Sequence, residues 1–235
     1  MVIPVYNEEK VLEQSVMELY SYLSSKNPEF KWEIKIADNA STDRTLEVAT
    51  KLSQNFESIT VSHLDEKGRG RALKKVWSES DADIMTYMDV DLSTNLDSFF
   101  PMVNAMYKEG FDIAIGSRLM KGANTTRSLK RETISRIYNL LVKLFLFTRF
   151  SDAQCGFKGV TRKVAKDVLP RVENTNWFFD TELLAIAEKK GYKIKDIPVK
   201  WIEDLDSRVK IVKTATEDVR GLLRVRREFR KGKYK

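Results

Sequence analysis

The sequence predicts an α/β fold in which a mostly parallel sheet is flanked by helices. Three observations carry that expectation. Short β-type runs alternate with stretches of helical spacing, and the runs end in polar or acidic residues. The apolar run Ile84-Met85-Thr86-Tyr87-Met88 stops at two carboxylates, Asp89 and Asp91. In an open parallel sheet the strand ends share one edge, and ligands bind there.

Taken in order, a strand over 2–5 is followed by helical spacing over 9–25. Strands over 33–37 and 60–63 bracket a helix over 42–55, and a helix over 69–80 leads into the strand 84–88. A helix over 96–109, stopped at Gly110, precedes a fifth strand at 112–115 and completes a Rossmann-like half. Beyond it come a long helix at 132–148, a short strand at 156–160, helices at 163–169 and 180–190, a strand at 193–199 and a basic helix at 209–230. A chain of 235 residues suits one domain, with halves 1–118 and 119–235.

A net charge of +7 favours anionic partners without choosing among them. The single cysteine, Cys155, excludes an internal disulfide framework and fits a reducing compartment; as a residue it reads as a small buried hydrophobe. No basic and apolar leader precedes the first strand, so a cytosolic location is expected. The longest apolar stretch, 137–147, is broken by Asn139 and Lys143 and falls short of the roughly 20 residues that span a bilayer.

Alone, Asp89-Val90-Asp91 reads more readily as an acidic turn than as a metal site, although hard carboxylate oxygens at a strand end suit a divalent cation holding a diphosphate. Asp38 ends the second strand, placed either to accept hydrogen bonds from a base or ribose or to cap the helix near Thr42, for which Ser41 is the better candidate. The loop Lys67-Gly68-Arg69-Gly70-Arg71 is either a phosphate-approaching loop or a solvated basic turn. The absence of a Gly-x-Gly-x-x-Gly after the first strand removes support for a nicotinamide dehydrogenase.

Ile3-Pro4-Val5-Tyr6-Asn7-Glu8-Glu9, Asp38-Asn39-Ala40-Ser41-Thr42-Asp43, Gly68-Arg69-Gly70, Asp89-Val90-Asp91 and Gly116-Ser117-Arg118 resemble, in that order, the motifs of glycosyltransferase family 2, with its GT-A fold. Asp152-Ala153-Gln154-Cys155-Gly156-Phe157-Lys158, Trp177-Phe178-Phe179-Asp180-Thr181-Glu182-Leu183-Leu184 and Trp201 with Asp206-Ser207-Arg208 resemble the acceptor side of the polyprenyl-phosphate and dolichyl-phosphate sugar synthases. The wording is closer to the dolichyl-phosphate glucosyltransferases than to the mannose synthases.

That resemblance implies an inverting transferase that moves a sugar, glucose from UDP-glucose, onto a polyprenyl or dolichyl phosphate. Asp89 and Asp91 would hold Mg²⁺ or Mn²⁺, with Ser93 standing where relatives often supply a Gln ligand. Pro4, Tyr6, Glu8, Asp38 and Lys67 would cradle the nucleoside in the first half, and Arg118, Arg131, Ser135 and Arg208 would grip donor and acceptor phosphates. The only histidine, His63, is read as structural, because a phosphate acceptor needs no strong base.

The resemblance also favours docking at a membrane's cytoplasmic face through an amphipathic helix carrying Ile137, Leu140, Leu141, Leu144, Phe145 and Phe147. The basic segment 220–235 would either lie on anionic headgroups or remain a solvated helix and tail. Alternatives are a mannose synthase using GDP-mannose and a non-catalytic module binding nucleotide sugar or lipid phosphate. No nucleic-acid module is recognisable.

Overall fold

The computed structural model describes residues 1–203 and 211–234. Its elements in chain order are β1 (Val2–Val5), α1 (Leu12–Lys26), β2 (Ile34–Asn39), α2 (Thr45–Asn55), β3 (Ile59–Leu64), α3 (Arg69–Glu79), β4 (Ile84–Met88), α4 (Phe99–Tyr107) and β5 (Ile113–Ser117). There follow β6 (Asn124–Thr126), α5 (Leu129–Leu146), β7 (Phe157–Thr161), α6 (Arg162–Val168), α7 (Phe179–Lys189), β8 (Ile194–Pro198), β9 (Lys200–Ile202) and α8 (Ile211–Arg230).

Seven strands form one sheet in the order β3-β2-β1-β4-β7-β5-β8. The β1–β2, β2–β3, β1–β4 and β5–β8 pairs are parallel, whereas β7 runs antiparallel to both β4 and β5. The chain builds outward from β1 through β2 to β3, then returns to place β4 on the other side of β1. That reversal is the topological switch point, where open α/β sheets form their ligand crevice, and it falls at the carboxyl ends of β1 and β4. Because β7 is inverted, it starts at this edge: Phe157 pairs with Met88, and Asp89 N–H donates to the Gly156 carbonyl at 3.0 Å.

Each sheet face is closed by helices with apolar stripes. On α1, Leu12, Val16, Leu19 and Leu23 recur at helical spacing and are fully buried with Ile3 and Ile36. The opposite face packs Leu73, Trp77, Val142, Leu183 and Leu222, drawn from α3, α5, α7 and α8. At about 1.5–3 kcal/mol for each large apolar side chain buried, these two layers are the main force holding the sheet rigid beneath its loops.

Several boundaries differ from expectation for local reasons. The helix expected at 96–109 opens as a 3₁₀ turn, Leu96–Ser98, capped by the Asn95 side chain, and its chain turns at Gly110, whose φ of 73° is the left-handed value glycine tolerates. The helix expected at 132–148 begins earlier, at Leu129, and ends where Phe147 enters the left-handed region. Not foreseen was a small second sheet, β6 with β9, in which Thr125 pairs with Trp201. It sits against the loop after β4: Ile202 N–H donates to the Ser93 carbonyl and Asn95 N–H to the Lys200 carbonyl, both at 3.0 Å. No helix among the described residues is long and apolar enough to cross a membrane.

Candidate active site

The loops after β1 and β2 are tied together by side chains. Asn7, at φ 56°, accepts from Thr42 N–H (2.8 Å) and donates to the Thr42 hydroxyl (3.2 Å). Asn7 N–H donates to Ser41 Oγ (2.9 Å) and Glu8 N–H to Thr45 Oγ1 (2.7 Å). Helix α2 therefore starts at Thr45 rather than Thr42, and Asp43 accepts from Thr45 N–H where Ser41 was expected to cap. The same ties delay α1 to Leu12.

Asp38 is fully buried, and its Oδ2 lies 2.6 Å from Nδ1 of His63, its neighbour across the β2–β3 register. His63 thus orients the carboxylate, a partnership that depends on the β2–β3 register. Asp38 Oδ1 has no hydrogen-bond partner and is buried, so it can accept from a ligand. Lys67 Nζ sits 3.2 Å from the Tyr6 ring centroid, and Gly68 N–H donates to Asn39 Oδ1 at 2.6 Å, which draws the Gly-rich loop over the same strand ends. Pro4 lies in β1 opposite Ala37. The five residues expected to cradle a nucleoside therefore lie on or just after the neighbouring strands β1, β2 and β3.

At the end of β4 a buried charge network appears that no single motif announced. Arg69 Nη2 donates to Asp89 Oδ1 (2.6 Å) and Nη1 to Asp180 Oδ2 (2.7 Å), while Asp180 Oδ1 accepts from the Tyr87 hydroxyl (2.6 Å). Lys158, with no exposed surface, lies 3.4 Å from Asp180 Oδ1 and donates to Tyr87 Oη and the Cys155 carbonyl. Burial works to raise the Asp180 carboxyl, yet Lys158 and Arg69 hold it below the usual range. The partner of Asp180 within its motif, Glu182, accepts from the backbone of Glu173 and Asn174 and from Arg224 on α8, so it fixes helix packing.

On the acceptor side, Arg118 follows β5 and makes a two-point bond to buried Asp152, Nε–Oδ2 2.8 Å and Nη2–Oδ1 3.0 Å. Burial opposes the charge on Asp152, but Arg118 brings its pKa down to about 2. The pair stabilises the fold by about 2 kcal/mol at neutral pH, a contribution lost as pH falls through that value. Arg118 also feels the charge of Asp89 and lies 5.4 Å from the Trp201 ring. Arg131 is bonded to Glu203 (2.8 Å), which also accepts from Ser128 N–H at the start of α5. Ser135 follows one turn later on that helix, and its buried hydroxyl has no partner. Arg208 lies outside the described residues.

On α8, Asp218 is 4% exposed and accepts from Gln154 Nε2 at 3.2 Å. Burial, helped by the neighbouring Glu217 charge, pushes its pKa up to about 7. Because the folded value exceeds the unfolded one, stability from this group is present at low pH and is lost as pH rises through about 7. In urea melts, Asp218→Asn is expected to be more stable than wild type at pH 8, with the difference vanishing towards pH 4; a pH-independent difference would contradict the assignment.

A metal expected at Asp89 and Asp91 can be tested against the donor set. Asp91 Oδ1 accepts from Ser93 N–H (2.9 Å), which aims this exposed side chain back over the loop. The Asp89 carboxylate lies directly over Gly156, in the space a Cβ would fill. Among the described residues no group of three His, Cys, Asp or Glu forms a protein-only metal site. Two carboxylates that leave coordination positions for water and phosphate oxygens fit Mg²⁺ or Mn²⁺, which bind in that way.

The fold defines a GT-A protein, with Asp89 and Asp91 following the carboxyl end of β4. A glucosyl-3-phosphoglycerate synthase from Mycobacterium tuberculosis, solved with Mn²⁺ and uridine-diphosphate-glucose, shares this fold with a TM-score of 0.67 at 18% identity, over 96% of this chain and 77% of that one. Residues 1–169 match glycosyl transferase family 2, and the chain belongs to that family. Glycosyltransferase AglD of Haloferax volcanii is 34% identical over 91% of this chain, which spans 34% of that protein. The dolichyl-phosphate beta-glucosyltransferase ALG5C of Trichomonas vaginalis is 31% identical over 89% of this chain and 65% of its own length. The human dolichyl-phosphate beta-glucosyltransferase is 32% identical over 86% of this chain and 67% of its own length. The chain thus spans between a third and two thirds of these relatives.

Proposed function

We propose that the protein is an inverting glycosyltransferase that moves glucose from UDP-glucose to a polyprenyl or dolichyl phosphate. The observation that carries this reading is the position of Asp89 and Asp91, at the carboxyl end of β4 between the Asp38 crevice and the Arg118–Asp152 pair. Relatives named as dolichyl-phosphate beta-glucosyltransferases support the choice of sugar and acceptor.

Asp38 Oδ1 would accept from the base, with Lys67, Tyr6, Glu8 and Pro4 bordering the nucleoside. Asp89 and Asp91 would hold Mg²⁺ or Mn²⁺, which when bound neutralises charge on the departing diphosphate. Arg118 and Arg131 would meet the acceptor phosphate, with the Ser135 hydroxyl as a further donor, so that two polyanions approach without repulsion. A phosphate oxygen carries enough negative charge to attack the anomeric carbon directly. The carbon–oxygen bond to the nucleotide breaks as the new one forms on the opposite face, which inverts an α-linked donor to a β-linked product.

A lipid acceptor calls for a protein that works at a membrane surface, and we propose the cytoplasmic side. Helix α5 supports this with an exposed stripe of Ile137, Leu140 and Leu144, each more than half exposed, ending at Phe147. Leu141 and Phe145, counted in that stripe from the sequence, instead pack inward. Incubation with Mn²⁺, polyprenyl phosphate and labelled nucleotide sugars is expected to give a glucosylated lipid from UDP-glucose. Product from GDP-mannose alone would replace the donor assignment.

A further inference from the structure

Away from the crevice, a groove of about 810 Å³ opens along the edge strand β8. It lies where β8 begins, between the C-terminal ends of α5, α7 and α8, and Phe111 and Lys193, which precede β5 and β8, belong to its wall. The catalytic carboxylates stand at the opposite ends of these parallel strands.

The groove joins two chemistries. Its rim carries Arg149, Lys189, Lys193, Arg226 and Arg230. Two carboxylates, Glu188 and Asp196, also line it, but both are engaged, accepting from Arg149 N–H and from Ser151 N–H and Oγ respectively. Between the cations lie aromatic rings, with Arg226 stacked 5.2 Å from Phe147 and Lys189 5.7 Å from Phe229.

Two details point to a ligand. Thr148, 8% exposed and part of the lining, has a buried hydroxyl with no hydrogen-bond partner. Beside it Phe147 holds φ 58°, a strained value for a bulky residue, and the ring stands 77% exposed. Arg226 fixes this segment by donating to the Phe145 carbonyl.

We propose that this groove is a binding site for the phosphate headgroup of an anionic phospholipid, with Phe147 entering the acyl layer of the same leaflet. The inference deepens the membrane-surface reading above and rests on it. Charge complementarity selects the headgroup, and the exposed ring, continuous along α5 with Leu144, Leu140 and Ile137, selects a lipid over a soluble phosphate. A second copy of a chain of net charge +7 would bring like charges together at the same rim.

The test is co-sedimentation with vesicles of phosphatidylcholine alone and of phosphatidylcholine with phosphatidylglycerol. Wild type is expected to partition preferentially to the anionic vesicles, and a Lys189→Gln/Arg230→Gln variant to bind them about 5-fold more weakly for each charge removed. Phe147→Gly removes the ring and relieves the backbone, so its melting temperature is expected to hold or rise while vesicle binding falls. Equal partition into both vesicle types, or anionic binding that neither variant weakens, overturns the proposal. So does a rise in melting temperature with inorganic phosphate that Thr148→Val abolishes when vesicles give no preference, since that marks a soluble-anion site. Turnover of a short, water-soluble polyprenyl phosphate without vesicles tests the proposed reaction separately, so either reading can fail alone.

Discussion

Asp180→Ala is expected to destabilise the protein by about 3–5 kcal/mol, the usual cost of removing one partner from a buried ion network. Lys158 has no exposed surface, and beyond Asp180 its partners are the neutral Tyr87 hydroxyl and Cys155 carbonyl. Without the carboxylate the buried ammonium loses its ion-pair partner and keeps only the more distant charge of Asp152, itself paired with Arg118, and Arg69 keeps Asp89 as its one carboxylate. Asp180→Asn keeps one acceptor oxygen, for Tyr87 or for Arg69 but not for both, and loses the charge, so its loss should be smaller than that of alanine only by that one bond. Because Asp180 is held below its ordinary pKa, its contribution is present above the unfolded carboxylate range and fades as pH falls through the folded value. Urea denaturation of the three proteins at neutral and acidic pH checks both claims. An alanine variant within about 0.5 kcal/mol of wild type would show that the network does not support the fold.

That network also marks the limit of what the sequence discloses. The strand 84–88 is read correctly because a run of buried side chains between a turn and two aspartates has few other solutions. The crevice follows from it, since parallel strands put their loops on one edge. The direction of β7 does not follow, because a run of buried residues reads the same whichever way the strand lies in the sheet. Yet that inversion is what sets Gly156 against Asp89 and carries Lys158 beneath the sheet to Asp180. Likewise Arg118 reads as a phosphate ligand from its motif, while its two-point bond to Asp152 depends on a contact between residues 34 apart. Asp152, Lys158 and Asp180 all lie in motifs visible from the outset; what those motifs lacked was any sign of which charges were partners.

Gly156→Ala is expected to reduce turnover about 10²–10³-fold, comparable to losing one preorganised electrostatic group, or about 2.7–4 kcal/mol of transition-state stabilisation. The three nearest atoms to a Cβ at this position all belong to the Asp89 carboxylate, so a methyl group there and the present Asp89 conformation exclude each other. Gly156 is not among the glycines with positive φ, and its carbonyl keeps the bond from Asp89 N–H, so alanine meets no backbone objection. The strain falls instead on the Asp89 side chain, which must rotate away from Arg69. Gly156 then acts as a positioning residue, and its substitution should lower Mn²⁺ affinity, read by electron paramagnetic resonance, together with turnover. The loss should match that of Asp89→Ala, while urea stability falls by much less than in Asp180→Ala. Wild-type Mn²⁺ binding in the Gly156→Ala protein would mean that the metal does not require Asp89 in this conformation, and the coordination proposed for the pair would have to be abandoned.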